Sequence, residues 1–70
     1  MIDRITTERL DERTVRVKIE VKGYIYACTF HARPGFEPTN AEIRRDFRVA
    51  PKTWLPFDES TGTFLKGGVT

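Results

Sequence analysis

The stretch from Thr14 to His31, TVRVKIEVKGYIYACTFH, leaves this chain little freedom in how it folds. Val15, Val17, Ile19 and Val21 alternate with Arg16, Lys18, Glu20 and Lys22, the two-residue period of a half-buried strand. Lys22-Gly23 then supplies a tight turn, because glycine adopts positive φ without steric cost. Beyond it Tyr24, Tyr26, Cys28 and Phe30 alternate with Ile25, Ala27, Thr29 and His31. With a two-residue loop, Val21 faces Tyr24, Ile19 faces Tyr26, Val17 faces Cys28 and Val15 faces Phe30. All eight side chains then share one face, since register and pleat agree. A hairpin over 14–32 with one apolar face is marginal in water, so a third strand and a cover are required.

The flanking segments supply both. In IDRITTERLDERT, Ile2, Ile5 and Leu10 fit either a short helix capped by Thr6 or Thr7, or a strand near 4–10 that turns at Asp11-Glu12. The run Ile-Thr-Thr favours the strand. RPGFEP, residues 33–38, is a loop, with prolines on either side of Gly35. Thr39 or Asn40 reads as an N-cap, and Glu42 completes a capping box if Thr39 is the cap. The helix over 40–48 sets Ile43 and Phe47 on one face, and Pro51 stops it or opens another. TWLPFDESTGTFLKGG reads as a C-terminal hairpin over 53–66, with 66–70 a flexible tail. The expected architecture is a single domain over 1–70 of the α+β class, a small antiparallel sheet packed by one short helix.

Composition narrows the function. With 39% hydrophobic and 31% charged residues the chain has the makeup of a folded protein rather than a disordered one. No apolar run approaches the roughly 18 residues of a membrane span, and Met1-Ile2-Asp3-Arg4 does not open a signal peptide. The lone Cys28 forms no internal disulfide and fits a cytoplasmic protein. Cys28 and His31 make a C-x-x-H pair, but no second pair follows to complete a tetrahedral zinc site, and on a strand the two point to opposite faces. Asp11-Glu12 and Asp58-Glu59 fall at turns, where they cap rather than share a proton. No glycine-rich phosphate loop is present, and 70 residues are few to enclose a substrate pocket of about 300 Å³ or more. The chain therefore reads as non-enzymatic, with no metal, no cofactor and no small-molecule substrate.

What remains is binding. Lys and Arg number 12 against 10 Asp and Glu, a net charge of +2, and the cations cluster: Arg33, Arg44, Arg45, Arg48 and Lys52 stand against Glu37, Glu42 and Asp46. Residues 40–57 resemble the generic bacterial helix-turn-helix, with Ile43 and Phe47 at buried positions of the first helix, Val49 in the turn, and Pro51-Lys52-Thr53 at the start of a recognition helix. The resemblance implies base or phosphate contacts from Lys52 and Thr53, with Arg44 and Arg45 nearer the DNA backbone. Pro56 falls inside that second helix, where a proline costs about 3 kcal/mol.

The expected function is a small protein-binding module, an inhibitor or adaptor of the kind phages and mobile elements encode. Arg44, Arg45, Arg48, Lys52 and Trp54 are its contact set, since tryptophan and arginine dominate binding hot spots. A DNA-binding regulator using the same residues is the alternative. Arg16 and Lys18 form a secondary basic face on the other side of the hairpin, and an exposed edge strand permits a homodimer.

Overall fold

The computed structural model describes residues 2–65. Five strands, β1 (Arg4–Asp11), β2 (Thr14–Val21), β3 (Tyr24–His31), β4 (Leu55–Asp58) and β5 (Thr63–Phe64), form one antiparallel sheet in chain order. One α-helix, α1 (Asn40–Val49), and a single 3-10 turn, η1 (Pro51–Thr53), connect β3 to β4. The expected α+β architecture is the one found, and the N-terminal segment takes the strand alternative. The expected tail, 66–70, and the last residue of the expected C-terminal hairpin lie outside the described residues.

The central hairpin has the register that its alternation predicts: Val15 pairs with Phe30, Val17 with Cys28, Ile19 with Tyr26 and Val21 with Tyr24. Lys22 (φ 52°) and Gly23 (φ 85°) both occupy the left-handed region, as a two-residue turn matched to strand twist demands. The Asp3 carboxylate accepts a hydrogen bond from the Lys22 amide at 3.2 Å and ties the turn to the entry of β1. Tyr24 departs from the expected core. It stands at the turn end of the hairpin, 68% exposed, where the helix cover does not reach.

The remaining hairpin residues build the main core. Val15, Val17 and Ile19 are buried together with Ile2, Ile43 and Trp54, and Phe30, Cys28, Tyr26 and Phe47 pack against them. The helix starts as its sequence predicts. Thr39 Oγ1 accepts from the Glu42 amide at 3.2 Å, and Glu42 Oε1 accepts from the Thr39 amide at 2.9 Å, a reciprocal capping box. Pro51 opens η1 rather than a second helix and delivers Trp54 into the space between α1 and the sheet. The indole stacks edge-on against Phe47 and Phe30, with centroids 5.9 and 6.0 Å away.

The far side of the sheet is covered as well. Trp54 and Phe57 are three residues apart in extended backbone, so they point to opposite faces. Phe57 is buried, meets Phe64 edge-to-face at 5.2 Å, and lies with Arg16 and Lys18 on the side away from the helix. The Arg16 guanidinium sits 5.2 Å from the Phe57 ring centre and 5.8 Å from that of Phe64. The Lys18 ammonium lies 5.5 Å from Phe57 and 3.5 Å from a Glu59 carboxylate oxygen. Ala27, between Lys18 and Leu55 in the sheet, is sealed completely. The secondary basic face expected at Arg16 and Lys18 is therefore corrected: both cations lie over the aromatics of β4 and β5 in a second, smaller core.

Candidate interaction surface

Helical spacing fixes what α1 shows to solvent. Ile43 and Phe47 turn towards the sheet, and Asn40, Ala41, Glu42, Arg44, Arg45, Arg48 and Val49 are exposed. Arg44 and Arg48 are one turn apart, as are Arg45 and Val49, and Lys52 lies on η1. All four cations are exposed. Val49 is 71% exposed among them.

None of the four is neutralised by an ion pair among the described residues. The ion pairs there are Arg4–Glu20, Arg9–Glu37, Arg16–Glu8 and Lys18–Glu59. The acids nearest in sequence are committed elsewhere. Glu42 serves the capping box, where the Thr39 amide and then its hydroxyl hold the carboxyl below its ordinary pKa. Asp46 accepts the indole N–H of Trp54 at 3.0 Å. Arg48 gains from the negative end of the helix dipole, which accounts for one cation in the last turn; Arg44 and Arg45 have no such role. Glu42, Arg45, Asp46 and Val49 border a shallow depression of ≈ 280 Å³.

Arg44, Arg45, Arg48 and Lys52 are each exposed, whereas Trp54 is buried. Trp54 is 3% exposed and hydrogen-bonded, a core residue and no anchor for a partner. The helix-turn-helix resemblance is corrected too. Where a recognition helix would run, residues 51–53 make one 3-10 turn and Leu55–Asp58 make a strand paired with β3, so no second α-helix follows α1 among the described residues. Pro56 is accommodated there because β4 pairs only briefly with β3, through Tyr26–Pro56 and Ala27–Leu55. Thr53 is occupied locally, its hydroxyl donating to the Ala50 carbonyl at 2.8 Å.

Elsewhere the titratable groups serve turns. Asp11 accepts from the Arg13 amide at 2.8 Å, and Asp58 accepts from the amide and hydroxyl of Ser60 at 3.0 and 2.7 Å. Those contacts hold both carboxyls below their ordinary pKa. Burial pushes the Cys28 thiol up. His31, on the opposite face by the pleat, lies 3.3 Å from the Thr14 hydroxyl through Nδ1. Among the described residues no group of three or more His, Cys, Asp or Glu is placed to hold a metal ion.

Two findings lay beyond the sequence. Arg9 donates to the carbonyls of Asp11, Glu12 and Phe36, at 3.1, 3.1 and 2.7 Å, and so clamps the 33–38 loop onto the end of β1. An open groove of ≈ 690 Å³ runs beside Tyr24, Tyr26, Pro56, Phe57 and Leu65.

No helix among the described residues is long and apolar enough to cross a membrane. Comparison with protein-family models, with curated proteins and with solved structures returned no match.

Proposed function

We propose that this chain is a small non-catalytic protein-binding module, of the inhibitor or adaptor type that phages and mobile elements encode. Its docking surface is the outer face of α1 and η1, and its target is an acidic protein surface. The observation that carries the reading is four exposed cations, Arg44, Arg45, Arg48 and Lys52, without ion-pair partners among the described residues, together with an exposed Val49 on the same helix as the arginines. Like charges gathered on one helix face cost stability unless something neutralises them. An apolar residue within a charged rim is the anatomy of a protein interface, in which the rim steers association and the centre is desolvated. Arginine suits the role because its planar fork pairs with carboxylates in a bidentate manner.

Nucleic acid is the competing target, since the same cations neutralise phosphates. The net charge of +2, and a 3-10 turn and a strand over 51–58 where a recognition helix would run, favour protein. Two arms test the reading together. Tagged wild-type chain and the Arg44→Glu/Arg45→Glu variant are used to capture protein from cells of the native host, and both are titrated into labelled duplex and single-stranded DNA at two salt concentrations. The proposal expects a discrete protein partner lost in the variant, and no DNA binding that survives physiological salt. Tight DNA binding with a steep salt slope, abolished by the variant, assigns the surface to nucleic acid instead. Capture unaffected by the double variant removes the helix face from the interface.

A further inference from the structure

β1 is bonded on one side only, to β2, and its outer side has no neighbour among the described residues. Alternate N–H and C=O groups of such an edge face outward and are open to pairing. Between Arg4 and Glu8 neither a proline nor a bulge blocks the edge, because the register shift falls later, between Arg9 and Asp11. The charges along it are ordered. On the face away from the helix, Arg4 stands opposite Glu20 at 3.1 Å and Glu8 opposite Arg16 at 3.9 Å, with Thr6 between them opposite Lys18.

We propose that β1 pairs antiparallel with β1 of a second copy of this chain, about a twofold axis through Thr6. In that register Arg4 of each copy lies opposite Glu8 of the other, and Ile5 opposite Thr7. Each row across the joined sheet then reads Glu20, Arg4, Glu8, Arg16, alternating in sign over β2 and β1 of one copy and β1 and β2 of the other. Asp3 falls opposite Arg9, again of opposite sign. Other registers lose this match. Centring on Glu8 sets like charges face to face, centring on Thr7 sets Arg4 against Leu10, and centring on Ile5 sets it against Thr6. Slips by one residue turn the second copy over, so that the helix-covered faces of the two sheets lie on opposite sides. The surface is separate from Arg44, Arg45 and Arg48, so the pairing stands or falls independently of the docking function proposed above.

Sedimentation equilibrium of the full chain over a range of concentrations tests the pairing. Wild type moves from 8.1 kDa towards twice that mass as concentration rises. Arg4→Glu and Glu8→Arg each set like charges against each other near the axis, and each weakens self-association about tenfold or more. Mixed in equal amounts, the two variants present opposite charges to one another again, so a mixed dimer forms with an affinity close to that of wild type. Thr6→Cys changes no charge and brings two thiols together at the axis, so mild oxidation links the copies; Thr63→Cys, on β5, is the unlinked control. Three results overturn the proposal: a wild type that stays monomeric throughout, charge variants that associate as tightly as wild type, or a mixture that recovers nothing. Should either charge variant fail to fold, absence of a Thr6→Cys crosslink overturns it as well.

Discussion

At the scale of single residues the most exacting contact is the indole of Trp54. It fills the gap between α1 and the sheet and also satisfies Asp46 at 3.0 Å. Trp54→Phe keeps most of the packing and removes the donor, so it costs about 1.5–3 kcal/mol in urea unfolding, the usual value for a hydrogen bond to a charged group. Lys22, in the left-handed region at φ 52°, is a site of strain in the turn; Lys22→Asn stabilises by about 0.5 kcal/mol, since asparagine tolerates that backbone. Cys28, whose thiol is pushed up by burial, reacts with a disulfide reagent at pH 8 about tenfold more slowly than the unfolded chain does. Much at this scale was legible. The pairing of Val17 with Cys28 follows from alternation, and the bonds between Thr39 and Glu42 follow from their spacing. Arg9 was not legible, because its partners are loop carbonyls brought near only by the tertiary fold. Trp54 was misassigned because an aromatic after a proline turn fits a surface anchor as well as a core plug until its neighbours are placed.

At the scale of elements, each segment was readable by its period and its neighbours less so. The alternation in β2 states that Arg16 and Lys18 share a face, and is silent on what lies across from them. β4 and β5 cover that face, and Phe57 is the residue that closes it. Phe57→Ala removes the ring over both cations and costs about 3 kcal/mol by chemical denaturation, within the range for large-to-small core changes. Helix α1 carries a pH prediction. Glu42, held below its ordinary pKa in the folded state by the Thr39 amide and hydroxyl, behaves as Asp11 and Asp58 do at their turns. A carboxyl depressed by folding stabilises above its unfolded value, and that contribution is lost as pH falls through the folded one. The thermal midpoint is therefore flat between about pH 7 and 5 and falls below about pH 4, in the carboxylate range. Thr39→Ala shrinks that fall, as a series of melts against pH will show.

At the scale of the whole molecule the core side chains pack on two faces of one sheet, and the arginines of the helix have no ion-pair partners among the described residues. The helix-turn-helix pattern was a false friend for a physical reason. It reads the spacing of apolar residues, and Ile43, Phe47 and Trp54 meet that spacing while packing on a sheet rather than on a second helix. Which residues the partner touches is the claim on which the functional account turns. Its most direct measurement is the dissociation constant for the captured partner, taken for wild type and for Arg44→Glu/Arg45→Glu at physiological salt, with matched unfolding curves. The account predicts an affinity weakened by about a hundredfold, on the order of 3 kcal/mol, with stability unchanged. Equal affinities for the two proteins would contradict it.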